Sequence, residues 1–427
     1  MKVCVLGAGV AGMTSAYFLW TAGHDVTVVE RNAGVGLETS YANGGQLSYS
    51  YVAPLAGPGV LPKVPPWLLK RDAPLRFSPR LDFFQWRFCV QFVLACTAAQ
   101  SELTTSRLLR LSFYSRRLMH EMVQTETLDF DYVRNGKLVF YSDEAAYRGA
   151  VAAMDYQRSL GCEQEALEPQ ACAALEPALV PDGGGLGARL AGGIHTPSEE
   201  VGDCYRFCVG LERLLMARSP QVRFALGTQV QRLVTERRRV VAVDTSSGPI
   251  DADAFVVAAG SVSGRLVKPL GLRLPVYPLK GYSLTLPVTG RSPHVSVTDA
   301  KRKVVYAPLE TPAGPTLRVA GMADVAGWSQ EPDPVRLRQL VAEARAAFPD
   351  AADYHAPIAS MAPWCGLRPA TPLGSPILGA TPVGNLFVNA GHGALGWTLA
   401  LASGRIAADA IAKRPSEIPL DGLTYGS

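Results

Sequence analysis

The first thirty residues carry the pattern that most restricts the fold of this chain. Residues Lys2–Leu6 form an apolar run typical of a buried parallel strand, and the motif GAGVAG follows at residues 7–12. An apolar helix is expected to continue to about Ala22, and a second strand is expected over Asp25–Val29, ending at Glu30. Strand, glycine turn, helix and strand in this order predict a βαβ unit.

That unit has the chemistry of a dinucleotide site. Gly7 permits the tight turn, Gly9 allows a pyrophosphate to approach the backbone at the helix N-terminus, and Gly12 lets the helix pack closely on the strand. Glu30 has the position of the acid that accepts hydrogen bonds from ribose hydroxyls. A lone glycine motif is weak evidence, but the complete unit predicts a dinucleotide contact made by Gly7, Gly9, Val10, Ala11, Gly12, Glu30 and Arg31.

FAD and NAD both satisfy this fingerprint, so the rest of the chain must distinguish them. A nicotinamide enzyme usually continues with further βα units, whereas here a polar, glycine-rich ribbon (residues 38–54) and a proline-rich run come next. Predicted strands resume at Val222–Leu226, Val230–Val234 and Ala254–Ala258. A last strand, Leu386–Asn389, leads through a glycine-rich turn into an apolar helix. This interrupted arrangement disfavours a nicotinamide-dependent dehydrogenase.

Composition excludes several other classes. The 427 residues suggest two or three domains, and a net charge of +4 from 41 basic and 37 acidic side chains is too small to indicate nucleic-acid binding. Eight scattered cysteines without a C-x-x-C pair or a histidine cluster predict reduced thiols, a cytoplasmic-type compartment and no metal site. No apolar stretch reaches the ~18 residues that span a bilayer.

Five motifs in one order resemble the FAD-dependent D-amino acid dehydrogenases, relatives of the D-amino acid oxidase and glycine oxidase fold. They are GAGVAG with Glu30, LETSYANGGQLS (37–48), VYPLKGYSLTLP (276–287), WCGLRPATPLGSPILG (364–379) and NAGHGALGWTLA (389–400). The resemblance covers essentially the whole chain. It implies an α/β fold in which a discontinuous Rossmann-like FAD-binding domain carries a second α+β substrate domain built on an antiparallel sheet. We predict the first domain at 1–54, 196–264 and 356–427, and the second at 55–195 and 265–355.

The same resemblance implies the activity. Such enzymes oxidise a D-amino acid to an imino acid by hydride transfer from Cα to the flavin, and water then yields a 2-oxo acid and ammonia. Electrons pass to a quinone or another respiratory acceptor, and the family is peripherally associated with the inner membrane. Two alternatives stay open: a dehydrogenase of a cyclic secondary amine of the proline or D-hydroxyproline type, and a noncatalytic FAD-carrying electron-transfer subunit.

The resemblance also places the flavin contacts. The ribbon would run along the pyrophosphate, the ribityl chain and the flavin ring, because its hydroxyls, amides and glycines suit such a path. The predicted contacts beyond the fingerprint are Thr39, Ser40, Asn43, Gly44, Gly45, Gln46, Val230, Ala259, Gly260, Gly366, Arg368, Gly391, His392, Gly393, Gly396, Trp397 and Thr398. Related amine oxidases that tether FAD use a cysteine at the position of Gly366, one residue from Cys365, so FAD is predicted to be noncovalent.

Four side chains are predicted at the catalytic face. Arg368 is the candidate carboxylate clamp, because a planar guanidinium suits that role. Lys280, two residues from Tyr282 on one strand face, would place a positive charge near the flavin, and His392 would contact flavin or substrate. Two segments, residues 65–77 and the aromatic stretch 81–98, are candidates for a membrane surface, although the second is equally typical of a buried helix.

Overall fold

The computed structural model describes residues 1–63, 73–180 and 189–426. Its strands are β1 Lys2–Leu6, β2 Asp25–Val29, β3 Gln46–Leu47, β4 Leu75–Phe77, β5 Lys137–Tyr141, β6 Glu165–Leu167, β7 Gly192–Thr196, β8 Glu200–Val201, β9 Val222–Ala225, β10 Val230–Glu236, β11 Arg239–Thr245, β12 Gly248–Asp251, β13 Ala254–Val257, β14 Tyr277–Pro287, β15 Ser296–Asp299, β16 Val304–Thr311, β17 Gly314–Val325, β18 Trp364–Ala370, β19 Ile377–Ala380 and β20 Leu386–Ala390. Its α-helices are α1 Val10–Thr21, α2 Phe83–Ala95, α3 Ala98–Thr125, α4 Glu144–Ser159, α5 Pro169–Leu175, α6 Cys204–Arg218, α7 Ser263–Val267, α8 Pro334–Ala347 and α9 Gly396–Ile411.

A six-stranded sheet carries the predicted βαβ unit. Its order is β19-β20-β13-β1-β2-β9, with all neighbours parallel except the edge pair β19 and β20. Parallel strands need both faces covered, which explains the continuous apolar runs of β1 and β13. Helices α1 and α9 pack tightly, since Thr14 Oγ1 donates to Ala400 O (2.8 Å) and a Cβ on Gly404 would lie 2.7 Å from Thr14.

The largest sheet of the described structure has nine strands and is separate from the six-stranded sheet. Its order is β18-β14-β17-β16-β15-β5-β7-β6, with β4 beside β17. Neighbours are antiparallel except β15 with β5 and β17 with β4. Side chains alternate along these strands, so Tyr282 and Leu284 lie in the core shared with Leu340 of α8, whereas Ser283 points to the opposite face and contacts Ala42.

The predicted α/β fold class is confirmed, and most predicted strands lie within one or two residues of the observed ones. The sequence also predicts a strand over Tyr132–Phe140, but the observed strand β5 begins only at Lys137. Strands β10, β11 and β12 form a separate antiparallel meander beside the parallel sheet.

The predicted domain boundaries stay a prediction, and two elements cross them. Strand β18 lies in the nine-stranded sheet although it falls within 356–427. Helix α3 falls within 55–195, yet its Leu108 and Leu111 share a core with α1 and α9.

Candidate active site

The glycine turn after β1 is shaped by contacts that exclude side chains. Gly7 N donates to Val29 O (2.8 Å), and Gly7 has φ +110°, where a Cβ would lie 2.6 Å from Ala258 O. A Cβ on Gly12 would lie 1.9 Å from Gly7 O. Around Gly9, by contrast, the nearest atom to a Cβ is Ser40 Oγ at 3.5 Å. Gly7 and Gly12 are therefore fixed by the fold, and Gly9 leaves the helix N-terminus open.

The acid at the end of β2 is held in place by amides. Glu30 Oε2 accepts from Ala8 N (2.8 Å), and Oε1 accepts from Asn32 N (2.9 Å). The predicted contact Arg31 is paired with Glu38. The backbone of Thr228 donates to Glu30 O (2.8 Å), which brings the segment leading to Val230 alongside this acid. The structure thus gathers Glu30, Arg31 and Val230 at one end of the site.

The other predicted turns meet at the same sheet edge. Ala259 and Gly260 follow β13, which is held beside β1 by the bond from Ala258 N to Leu6 O (3.0 Å). Gly391 (φ +85°) and Gly393 (φ +57°) follow β20. Because the carboxyl ends of parallel strands meet at one edge, these turns border the glycine turn.

His392, between those glycines, is almost fully buried. Its Nε2 has no hydrogen-bond partner within the described residues. Burial lowers the pKa of His392 to about 4, so the ring is neutral near pH 7. A neutral, buried ring nitrogen with free hydrogen-bonding capacity suits a contact with a bound ligand.

The ribbon links the two sheets. Ser40 Oγ accepts from Val10 N (3.0 Å), and Thr39 Oγ1 and Ser261 Oγ both donate to Leu367 O (3.0 and 2.7 Å). A Cβ on Gly44 would lie 2.9 Å from the Val305 side chain. The ribbon therefore lies pressed between the glycine turn and the nine-stranded sheet.

Further along, the ribbon makes polar contacts at almost every residue. Asn43 Oδ1 accepts from Gly45 N (3.0 Å), and Gly45 has φ +66°. Gln46 Nε2 donates to Val297 O (3.1 Å), and Thr398 Oγ1 accepts from Ser48 N (3.0 Å). The predicted contact Thr398 thus holds the ribbon.

Two other residues near the start of α9 differ in their surroundings. The Trp397 ring lies in the core against Phe130 and Phe207, and its Nε1 donates to Gly202 O (3.0 Å). Gly396 packs on His392, with a Cβ position 3.6 Å from its side chain. The geometry gives Trp397 a packing role and offers no support for a cofactor contact by its side chain.

Arg368 lies on the same face of the nine-stranded sheet as the ribbon. Its Nη1 donates to Met322 O (2.6 Å) and its Nη2 to Gly321 O (3.4 Å). The guanidinium lies over Gly281, where a Cβ would come within 2.4 Å of it. Burial lowers the pKa of Arg368 from its ordinary value, and no carboxylate pairs with it among residues 1–63, 73–180 and 189–426.

Lys280 and Tyr282 do not join Arg368. Tyr282 OH donates to Asp324 Oδ2 (2.9 Å) within the core beneath α8, and Lys280 Nζ donates to Glu331 O (2.8 Å). Burial raises the pKa of Tyr282 further, so it is no ready proton donor. The predicted catalytic roles of both residues have no support in this geometry, because strand alternation points them away from the ribbon. Gly366, paired with Gly281, does face the Arg368 side.

Sequence reasoning missed two buried charge clusters. Arg318 donates to Asn43 O (2.8 Å) and to Thr285 Oγ1 (2.7 Å), which fixes the ribbon from below. Asp324 is fully buried and pairs with Arg336 (2.6 Å) and Arg76 (2.5 Å). The available signal was a charged residue inside an apolar strand pattern, which does not reveal the partner.

The residues present fit FAD. The two crowded glycines and the open one shape a turn for a pyrophosphate, and Glu30 retains lone pairs for ribose hydroxyls. His392 Nε2 and the polar ribbon would supply hydrogen-bonding groups to the remaining part of the dinucleotide. The site thus has the features of a dinucleotide-dependent oxidoreductase. The guanidinium of Arg368 is a cation of the right geometry to bind a carboxylate.

Comparison with known proteins identifies the class. Residues 2–410 match the family model described as FAD dependent oxidoreductase, so the chain belongs to that family and is an FAD-dependent enzyme. This resolves the choice between FAD and NAD that the glycine fingerprint left open.

The relatives narrow the comparison. The chain is 50% identical over 425 residues to "D-amino acid dehydrogenase 2" of Ralstonia nicotianae, covering 98% of each protein. It is 46% identical to "D-amino acid dehydrogenase 2" of Pseudomonas aeruginosa, covering 99% of this chain and 97% of the relative. Among solved structures, glycine oxidase from Geobacillus kaustophilus matches with a TM-score of 0.76 and 21% identity. The match covers 99% of this chain and 98% of the glycine oxidase, which shows a shared fold.

Proposed function

We propose that this enzyme oxidises D-amino acids to 2-oxo acids and ammonia. The observation that carries the proposal is Arg368, a partly buried guanidinium on the ribbon face that is anchored by two carbonyls and paired with no carboxylate of the described chain. Two of its five N–H groups are used, which leaves a fork for the bidentate recognition of a carboxylate. The names of the relatives supply the substrate class.

The residues have separate roles in this reaction. Arg368 binds the substrate carboxylate and thereby directs Cα towards the ribbon face. His392, neutral because of its low pKa, contacts the cofactor or substrate without adding charge. Bound FAD supplies the acceptor for the hydride that leaves Cα. A strong protein base is not needed, since the neutral amine stabilises the developing positive charge, and water completes the conversion outside the redox step.

The decisive experiment is anaerobic mixing of the holoenzyme with D- and L-amino acids while the visible flavin absorbance is followed. We expect D-amino acids to bleach the flavin and L-amino acids to leave it oxidised. D-Proline and D-hydroxyproline belong in the same panel, because bleaching by these alone would support the cyclic-amine alternative instead. A protein that retains FAD and is bleached by none of them would be an electron-transfer subunit.

Arg368→Leu tests the clamp. Loss of a charge-assisted bidentate contact is expected to raise KM for D-amino acids by about 100-fold while FAD stays bound. The matched control is Arg232→Leu, an exposed arginine of β10 paired with Asp244, which should leave KM within twofold. An unchanged KM in Arg368→Leu would remove the clamp from the proposal.

FAD binding is proposed to be noncovalent. Cys365 Sγ donates to Gln330 O (2.8 Å) on the α8 side of the sheet, which supports a packing role for this thiol. Denaturation in acid should release all of the flavin into the supernatant. Flavin that remains with the precipitated protein would contradict this.

We propose a quinone as electron acceptor and contact with an anionic membrane surface through the outer face of α2. Phe83, Trp86, Val90 and Leu94 are exposed along one stripe of this helix, and the basic Arg87 lies beside it. Its inner face is buried: Phe88 stacks on Tyr277, and Gln85 bonds to Ser78 O (3.0 Å). The other predicted membrane candidate is segment 65–77. Its residues 65–72 lie outside the described part of the chain.

This surface suits interfacial binding. None of the helices in the described ranges has both the length and the apolarity needed to cross a bilayer. Each apolar side chain that enters a lipid interface contributes about 1.5–3 kcal/mol if fully buried. Localisation is accordingly proposed as cytoplasmic with peripheral attachment to the inner membrane.

Co-sedimentation with phosphatidylethanolamine/phosphatidylglycerol vesicles tests the contact. The double variant Phe83→Ser/Leu94→Ser should lower vesicle binding at least tenfold and slow the reduction of a membrane-embedded quinone, with turnover of a soluble dye acceptor unchanged. Met216→Ser, an exposed apolar residue of α6, is the matched control. Equal vesicle binding by all three proteins would rule out α2 as the contact, and a dimer-to-monomer shift on gel filtration would indicate a second copy of the chain instead.

A further inference from the structure

The strongest unexplained feature outside the flavin contacts is a pair of buried charges beneath the ribbon. Lys137, the first residue of β5, and Glu199, just before β8, are each 1% exposed. Lys137 Nζ donates to Gln46 Oε1 (2.9 Å) and Ser48 Oγ (2.7 Å) and lies 4.5 Å from the centre of the Tyr51 ring. Glu199 Oε1 accepts from Ser50 N (2.6 Å). Both charges thus bind the ribbon rather than each other.

These charges are costly to bury. Within the described parts of the chain, no carboxylate oxygen lies within 4.0 Å of Lys137 Nζ, and Glu199 Oε2 has no hydrogen-bond partner. A buried ion that lacks a close partner destabilises a fold, and replacing such groups by apolar ones is commonly neutral or stabilising. Folding alone therefore gives no reason for a lysine and a glutamate at these two positions.

Lys137 determines how Gln46 is oriented. Its ammonium can only donate, so the Gln46 carbonyl must face it, and the Gln46 Nε2 is then directed to Val297 O (3.1 Å). The backbone of Gln46 is fixed at the same time by pairing with Val201 of β8. Lys137 therefore fixes the side-chain amide, and β8 fixes the backbone, of a residue that follows the two glycines of the ribbon.

We propose that Lys137 and Glu199 are positioning residues that hold Gln46, Ser48 and Ser50 against the flavin ring, and that turnover requires both charges. The inference rests on the proposed function, because it assumes that the ribbon lines the ring. Neither residue contacts substrate. They act through the ribbon, whose displacement by about 1 Å is enough to cost up to ~100-fold in rate.

The titration of the pair gives the proposal a distinctive signature. Burial lowers the pKa of Lys137 to about 8, opposed by the charge of Glu199, and burial raises the pKa of Glu199 to about 7, opposed by the charge of Lys137. The doubly charged form is thus most populated between about pH 7 and 8. Among the described residues, Tyr49 and Cys162 interact with Glu199, the Tyr51 ring lies against Lys137, and Glu200 accepts a hydrogen bond from Tyr49 OH.

The effect on stability has a definite sign. The folded state binds fewer protons than the unfolded chain between pH 8 and 10.5 at Lys137, so its contribution to stability rises with pH across that range. At Glu199 the folded state binds more protons between pH 4.5 and 7, so stability falls as pH rises there. Near neutral pH both charges weaken the fold, which is expected of groups retained for function.

The test uses holoenzyme variants that remove one charge each. Lys137→Met keeps the length of the side chain without its charge or donors, and Glu199→Gln keeps an acceptor for Ser50 N. We expect Lys137→Met to lower kcat about 10- to 100-fold with FAD retained, to shift the visible flavin spectrum, and to lose the fall in kcat above about pH 8. Glu199→Gln should lose the fall below about pH 7.

The matched control is Glu176→Gln. Glu176 is also a buried carboxylate held by backbone amides, of His294 (2.6 Å) and Val295 (3.1 Å), but it does not touch the ribbon. Its variant should keep the wild-type kcat, pH profile and spectrum. Thermal unfolding should show Lys137→Met more stable than wild type at pH 7, with the difference shrinking towards pH 10.

The outcomes separate this inference from the proposed function. If the wild type is not bleached by any D-amino acid, the proposed function fails, while the spectral shift and the unfolding measurements still test the pair. If the wild type turns over D-amino acids but Lys137→Met keeps kcat within twofold, the positioning role is overturned, provided that the flavin spectrum and the fall in kcat above about pH 8 are also unchanged.

Discussion

The turns at the edge of the six-stranded sheet and the ribbon face of the nine-stranded sheet build one site by different means. At the first, Gly7, Gly12 and Glu30 all lie within a single βαβ unit, and each is fixed by a neighbour in that unit or in the adjacent strand. At the second, Arg368 is positioned by carbonyls of Gly321 and Met322, more than forty residues away in sequence. The first is thus a local device, and the second is a product of strand register.

The two regions also differ in how they treat charge. Glu30 at the sheet edge is satisfied by amides of its own loop. Behind the ribbon face, charges are buried in clusters such as Asp324 with Arg336. Buried clusters of this kind are costly to break, because removing one partner leaves an uncompensated buried charge. Cofactor binding is therefore expected to be sensitive to backbone shape, and substrate binding to the placement of a few charged side chains.

The largest effect is predicted for Gly12→Ala, a substitution in the glycine turn at the edge of the six-stranded sheet. The new Cβ would lie 1.9 Å from Gly7 O, so α1 must move away from β1 and the turn must open. We expect the purified protein to lose its bound FAD, measured by the ratio of visible to ultraviolet absorbance. Gly149→Ala in α4 is the matched control: nothing lies within 4 Å of its Cβ, and the helix should gain up to about 1 kcal/mol. A yellow Gly12→Ala protein with wild-type FAD content would show that the turn is not the nucleotide cradle.

This contrast explains what the sequence could predict. The βαβ unit was readable because its glycine spacing, apolar periodicity and terminal acid all report on one short stretch of chain. The FAD fold and the class of enzyme followed from five such stretches in order. Arg368 was identifiable as a candidate clamp only from its motif, and its contact with Gly281 depends on the pairing of β18 with β14.

The predictions that the geometry does not support have the same physical origin. Lys280 and Tyr282 were predicted at the catalytic face because they share one strand face, but alternation along β14 directs Tyr282 into the α8 core while Gly281 faces the ribbon. Trp397 was grouped with the glycine turn by proximity in sequence, yet its ring fills an aromatic core. Lys137 was not identified at all, because its hydrogen-bond partner Gln46 lies 91 residues earlier in the chain.

The next prediction tests whether register positions Arg368. In Gly281→Ala the added Cβ would come within 2.4 Å of the guanidinium, which must swing away from Met322 O. KM for D-amino acids should rise about tenfold with FAD retained, as steady-state kinetics would show. The control is a double-mutant cycle: in an Arg368→Leu background, Gly281→Ala should add nothing further to KM. Additive effects of the two substitutions would mean that Gly281 acts on substrate binding by another route.

The smallest effect on turnover is predicted for Tyr282→Phe. This substitution tests whether the Tyr282 side chain acts on the α8 side or on the ribbon side of the nine-stranded sheet. Its hydroxyl donates to the buried Asp324 carboxylate, so its removal should lower the free energy of unfolding by about 1.5–3 kcal/mol, measured by denaturant titration. Since the ring points away from the ribbon, kcat and KM should stay within twofold of wild type. Tyr17→Phe removes a comparable bond, to the less buried Glu126, and should cost less stability and no activity. A fall in kcat of tenfold or more in Tyr282→Phe alone would return this tyrosine to the catalytic face and erase the distinction between the two faces of β14.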